Sequence, residues 1–214
     1  MFKNLTVYRI GPEWQASISV IESSLQKMRF VPCGATQKQS SGWVEPRGIK
    51  HAPLVESIGG QYLLKLQVEQ RVLPGAVVKK RTEELAKQVE DNTGRKPGKK
   101  QTKELKEQAE LELLPMAFTK QSSINVWIDP TRHMLMLDTS SSSRAEDVIT
   151  TLVKVLDGFA VTLLQSKESA AVAMKEWLAS GEPPAYFTID RECELKSMDE
   201  MKSVVRYARH LLDT

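Results

Sequence analysis

The stretch from Leu111 to Asp129, LELLPMAFTKQSSINVWID, changes its hydrophobic period in mid-course. Up to Leu114 it closes a charged helical segment. Pro115 has no N–H and its ring crowds the preceding turn, so the helix must stop there. Phe118 follows in a polar link. From Ile124 the pattern becomes that of an apolar strand, Ile124-Asn125-Val126-Trp127-Ile128. A chain with this junction has to build a body, leave it as a helical arm and return to it as a strand.

The rest of the chain agrees with that plan. Leu5, Val7, Tyr8 and Ile10 predict a strand over 4–10, ended by Gly11-Pro12. Ile18, Ile21, Leu25 and Met28 have helical spacing, which predicts a helix over 17–28. Residues 37–53 are polar and carry two prolines, so they read as a surface loop pinned by Trp43. Leu64, Leu66 and Val68 alternate within a strand over 62–72. Beyond Asp129, Pro130-Thr131-Arg132 marks a turn into a strand over 133–137. Ser143 and Glu146 have capping-box spacing before a helix over 144–156. A strand over 160–164, a helix over 169–179, a short strand over 185–190 and a final strand over 204–212 complete the reading.

The arm spans 74–114. Pro74 suits a first helical turn. Val77, Val78, Leu85 and Val89 form a narrow apolar stripe, and Asn92-Thr93-Gly94 ends the first helix. After the basic turn Arg95-Lys96-Pro97-Gly98-Lys99-Lys100, Leu105, Ala109 and Leu113 mark a second helix over 101–114. Two helices joined by a short loop form an antiparallel hairpin. Lys79 to Lys106 holds ten basic and five acidic residues, whereas the whole chain is only +3. A basic projection on a near-neutral body suits sequence-independent contact with phosphates. A solvated helical hairpin explains the same charges. The arm has no aromatic residue, which disfavours base stacking there.

Catalytic signatures are missing: there is no GxGxxG, P-loop, HExxH or GxSxG. The two cysteines, Cys33 and Cys193, lack metal-ligand spacing, so neither zinc nor any other cofactor is expected. Their small number fits a reducing cytosol. No apolar run approaches the roughly 20 residues of a membrane helix. Asp129 and Asp138 flank a hairpin and could in principle hold a nuclease metal, but acids that end strands and favour turns are the better explanation. Phe118 either packs under the arm, the commoner fate of an aromatic, or anchors another subunit.

At the level of whole stretches, the chain resembles the bacterial RdgC family of recombination-associated DNA-binding proteins. The matching segments run in order: Phe2-Lys3-Asn4-Leu5, Val7-Tyr8-Arg9, Phe30-Val31-Pro32-Cys33-Gly34, Gly42-Trp43-Val44, Leu113-Leu114-Pro115 with Ala117-Phe118, and Val126-Trp127-Ile128-Asp129. They continue with Ala145-Glu146-Asp147, Glu176-Trp177-Leu178, Ser180-Gly181 and Glu194-Leu195-Lys196-Ser197. The resemblance implies a non-enzymatic protein that binds double-stranded DNA without marked sequence preference. It implies a homodimer closed into a ring with a positive hole, and antagonism of RecA-promoted recombination at the nucleoid of the cytoplasm. It places Phe118, with Pro115 and Met116, at a dimer contact, and Arg206, Arg209 and His210 in a DNA-facing segment. Met116 stands where a basic residue can occur in the family. Family members continue beyond the position of Thr214, so an open dimer or a monomer is expected of this length of chain.

The expectation is therefore an α+β fold: a mixed β-sheet body with flanking helices, residues 1–73 and 115–214, and an inserted helical hairpin arm, residues 74–114. Arg206, Arg209, His210, Lys96, Lys99 and Lys100 are the candidate DNA contacts. The alternative is a protein–protein interaction module in which the hairpin docks and its lysines only solubilise.

Overall fold

The computed structural model describes residues 2–197, 203–210 and 212. The chain divides into two compact units, Met1–Leu164 and Gln165–Thr214.

In the first unit, β1 (Thr6–Ile10), β2 (Gln39–Val44), β3 (Glu56–Ile58), β4 (Gln61–Arg71), β5 (Thr119–Asp129), β6 (Met134–Leu137) and β7 (Val161–Leu163) form one sheet. Its order is β2-β4-β5-β6-β1-β7, with β3 added alongside β4. Each ladder in it is antiparallel. Period-two alternation puts Leu64 and Leu66, then Ile124, Val126 and Ile128, then Leu135 and Leu137 on one buried face. Register joins them in rows: Leu64 lies opposite Val126, and Val126 opposite Leu137.

Helices α1 (Ile18–Gln26) and α4 (Ser142–Val155) cover that face. Ile21 and Leu25 of α1, and Ala145, Val148 and Leu152 of α4, share one core with the strands. The N-cap of α4 is Ser141, whose hydroxyl accepts from Arg144 N. The helix thus starts two residues earlier than a Ser143–Glu146 capping box requires.

The polar stretch expected to be a loop contains β2. Trp43 is fully buried, and its strand is held on both sides. One side is the β4 ladder. On the other, Phe30 N donates to Trp43 O and Trp43 N to Met28 O. This sandwiching explains Gly42. A Cβ there would stand 2.4 Å from Phe30 Cα. Only glycine lets the two backbones approach so closely.

Asp129 and Asp138 are engaged in structural work. Asp129 is buried and its Oδ1 accepts from Thr131 N and Arg132 N, which builds the turn into β6. Asp138 accepts from Lys3 N and Asn4 N on Oδ1 and from the Asn125 amide on Oδ2. The Asn4 N–H is the main cause that holds its carboxyl below the usual range. Burial opposes this, and the Lys3 N–H, Asn125 and the N-terminal charge add to it.

The second unit contains α5 (Ala170–Ser180) and the two-stranded antiparallel ribbon β8 (Cys193–Lys196) with β9 (Val204–Tyr207). Trp177 lies against Phe187 at 5.3 Å between ring centroids. The strand expected over 185–190 does not form: the segment follows Pro183-Pro184 and Tyr186 has φ 74°, outside extended backbone. The final strand is shorter than 204–212, ending at Tyr207. Leu211 of that expectation lies outside the described residues.

Two outcomes are expected. Gly42→Ala lowers unfolding free energy in urea by about 2 kcal/mol or more, since the Arg29–Phe30 backbone beside it must shift. Asp138→Asn costs about 1 kcal/mol at neutral pH. The folded pKa of Asp138 is depressed, so its contribution is complete above the ordinary aspartate value, roughly pH 4, and is lost as pH falls through the folded value. The stability gap between wild type and Asp138→Asn therefore closes in acid.

Candidate nucleic-acid interface

The arm is the loop of a long β-hairpin. β4 and β5 pair from Tyr62 opposite Ile128 to Arg71 opposite Thr119. Residues Thr119 to Ser123, which read as a link in the sequence, are thus ladder-paired strand. Between the strands lie α2 (Gly75–Thr93), α3 (Lys99–Leu113) and a 3₁₀ turn over Leu114–Met116 that contains Pro115. Leu85, Leu105 and Ala109 make a small core of their own, with Ala86 and Val89 against it. Val77, one position off the stripe, is exposed.

Arg71 fixes the root of the arm. Its Nη1 donates to Leu114 O at 2.8 Å and to Ala117 O at 3.1 Å, and its Nε donates to Gly34 O at 3.3 Å. Helix C-terminal carbonyls lack intrahelical donors and carry partial negative charge, so a guanidinium there satisfies both needs. Val72 N donates to Phe118 O on the adjacent strand. Lys38 and Glu110 add a salt bridge from β2's approach to α3. Lys38 is the main reason the Glu110 carboxyl sits below its usual range.

Held this way, the root projects its side chains outward. Phe118 is 88% exposed and Met116 74% exposed, and Pro115 is exposed beside them. Phe118 therefore does not pack under the arm.

At the tip, Gly94 adopts the left-handed conformation that ends α2, with φ 67°. Gly98 is the N-cap of α3 and provides no side-chain cap. Lys99 and Lys100 then occupy the first turn of α3, which has no acidic residue. Cations at a helix N-terminus oppose the macrodipole, at about 0.3–1 kcal/mol each. Lower on the arm, acids answer the bases: Lys79 with Glu83, Arg81 with Glu84 and Glu112, Lys103 with Glu107. Among the described residues, Arg95, Lys96, Lys99 and Lys100 form no salt bridge. Lys80, Lys87 and Lys106 form none either, so among the described residues the tip holds four of the arm's seven unpaired cations, about 20 Å from Phe118 along the helices.

The other candidates lie on the second unit. Arg206 is on β9 and pairs with Glu194 across the ribbon. Lys196 and Arg206 together hold the Glu194 carboxyl below its usual range. Arg209 is exposed just past the strand with φ 57°. His210 N donates to Arg191 O, and its ring stands edge-on to Tyr207 at 5.8 Å. The candidates thus fall into three sets: Lys96, Lys99 and Lys100 at the tip, Pro115, Met116 and Phe118 at the root, and Arg206, Arg209 and His210 on the ribbon and the turn after it. Arg71 was not singled out in the sequence. Its signal, an arginine at a strand end just before the arm, becomes readable only once the strands are paired. Among the described residues, no group of three or more His, Cys, Asp or Glu is arranged to hold a metal ion, and no helix is long and apolar enough to cross a membrane.

An α+β body whose central hairpin carries a cationic helical arm is the class defined by this geometry. Comparison with known proteins narrows it. A family model described as "Putative exonuclease, RdgC" matches residues 1–214. The recombination-associated protein RdgC of Dechloromonas aromatica (strain RCB) is 44% identical over 211 residues, 99% of this chain and 69% of that protein. The protein of the same name from Cupriavidus necator is 43% identical over 212 residues, 99% of this chain and 70% of that protein. That from Bordetella pertussis is 38% identical over 212 residues, with the same coverage of each. The chain belongs to the RdgC family of recombination-associated proteins.

Arg71→Ala leaves Leu114 O and Ala117 O without their donor. It is expected to speed amide exchange selectively over 114–119, by a local opening energy about 1–3 kcal/mol smaller. Hydrogen-exchange mass spectrometry checks this, and Arg71→Lys restores only part of the protection because it lacks the planar fork.

Proposed function

We propose that this chain binds double-stranded DNA without sequence preference, as a homodimer, and that by occupying DNA at the nucleoid it limits RecA-promoted recombination. The observation that carries the reading is the tip. Lys96, Lys99 and Lys100 stand without acidic partners, and two of them sit where they weaken their own helix. Phosphates supply the missing counter-charge, and release of condensed counterions drives the contact. The exposed N–H groups at the start of α3 assist an anion beside those lysines. Nothing in this set reads a base edge, so contacts position the protein without specifying a sequence.

Arg206 and Arg209 extend the same chemistry on the second unit. Arg206 must exchange Glu194 for phosphate. Both side chains are exposed, and surface ion pairs contribute only about 0–1 kcal/mol, so this exchange is accessible. His210 joins as a hydrogen-bonding group. Phe118, with Met116 and Pro115, is the self-association anchor. The activity in this reading is binding and not strand scission, and its support is that Asp129 Oδ1 and both oxygens of Asp138 already accept from backbone N–H groups and an amide.

Titration of a random-sequence duplex against salt tests this. The slope of log K on log salt is expected to equal several phosphate contacts, at about −0.9 per contact, and to be unchanged on an unrelated duplex. Lys99→Glu/Lys100→Glu reduces the slope, by roughly two contacts or more, and Arg206→Glu/Arg209→Glu does likewise. A slope near zero, or a strong preference for one duplex, contradicts the reading. The same duplex is recovered intact after incubation with Mg²⁺ or Mn²⁺. Phe118→Asp shifts the sedimentation equilibrium toward monomer by an order of magnitude or more in Kd, while leaving the circular dichroism unchanged.

A further inference from the structure

A concave surface of the first unit shares only Lys99 with that reading. It is the valley between α2 and α3, closed at the body end by the last residues of β4, with a cavity volume of about 1020 Å³. Its floor is aliphatic, from Val72 and Leu73 at the body end and Val78 of α2. Its α3 wall carries Lys99, Lys103 and Lys106, spaced i, i+4, i+7 and so on one helix face. Among the described residues Lys99 and Lys106 form no salt bridge, and Lys103 reaches Glu107 only at 4.0 Å between two exposed side chains. A pair like that contributes little and yields readily to a better-placed carboxylate.

We propose that this valley is a docking site for an acidic amphipathic segment of a partner protein, its carboxylates on Lys99, Lys103 and Lys106 and its apolar side chains on Val72, Leu73 and Val78. Charge complementarity selects an acidic partner, and the floor selects a polypeptide. A duplex has no aliphatic side chain to cover that floor, and no aromatic residue lines the valley to stack a base. The lysine row covers about 10 Å of helix, two turns, which matches the i, i+3, i+4, i+7 anchor pattern of a helix lying in a groove. The site rests on the arm's geometry and stands whether or not the tip binds DNA.

The test uses the whole chain and a fluorescein-labelled synthetic peptide of about 12 residues, long enough for three helical turns. The peptide has leucines at i, i+3, i+4 and i+7 and Asp or Glu elsewhere, and its control is a scrambled peptide of identical composition. Fluorescence anisotropy is expected to show saturable, salt-sensitive binding at least ten-fold tighter than the scrambled control. Lys103→Glu/Lys106→Glu weakens it ten-fold or more, and the neutral Lys103→Gln/Lys106→Gln weakens it less. Val72→Gln weakens it several-fold at unchanged charge. Equal binding of the scrambled peptide overturns the proposal, because charge alone then explains the contact. Indifference to the lysine reversals overturns it too. So does a valley protected only by a duplex, or only by a second copy of the chain on concentration, with no effect of the peptide.

Discussion

The open end of the β4–β5 hairpin is the point on which the arm depends, and Arg71 closes it. One guanidinium meets carbonyls from the loop after α1, from the end of α3 and from the residue before Phe118. Backbone polar groups at a junction of this kind need partners, and leaving them unmade costs about 1–3 kcal/mol each. Arg71 supplies three at once because its donors lie in a fixed plane. The long ladder below it then acts as a stiff stalk. The arm cannot swing at its root without breaking those bonds or the Val72–Phe118 pairing.

From that constraint follows the division of labour along the arm. Near the root, Lys79 and Arg81 are answered by acids and Arg71 by carbonyls, so those charges serve structure. The hairpin's own core is only Leu85, Leu105 and Ala109 with their half-buried neighbours. Arg81 adds a cross-helix tie to Glu112, a contact that holds the Glu112 carboxyl below its usual range. At the tip the pattern reverses: cations accumulate without partners and against the helix dipole. Charge that does not stabilise its own element is available to something outside it. The valley face of α3 shows the same surplus above an aliphatic floor.

Much of this was legible in the sequence where backbone chemistry speaks locally. Pro74, Gly94 and Pro115 mark ends of the arm helices within a residue or two, because each either lacks an N–H or adopts a conformation others avoid. Long alternating runs such as Leu64-Lys65-Leu66 revealed the central strands. Elements whose reason lies elsewhere in the chain were not legible. Gln39 to Val44 reads as a polar loop, yet it is a strand, because β4 and the segment after α1 pair with it from both sides and bury Trp43. Thr119 to Ser123 looks like a link, since solvent and not core meets that end of the hairpin. β3 and β8 are too short to carry a pattern. Phe118 shows the same limit at the site. Its composition favours burial, and only the clamp around Ala117 turns it outward. The tip cations were readable as a cluster, but not the fact that Lys79, Arg81 and Lys103 find acidic partners while Arg95, Lys96, Lys99 and Lys100 do not.

Amide hydrogen exchange of the chain alone and saturated with a random-sequence duplex, at low salt, addresses the account most directly. A rigid arm that meets phosphates through its tip predicts protection concentrated in peptides covering residues 94–103, with the buried strands β4 and β5 unchanged. A duplex that binds while those peptides exchange as before would contradict it.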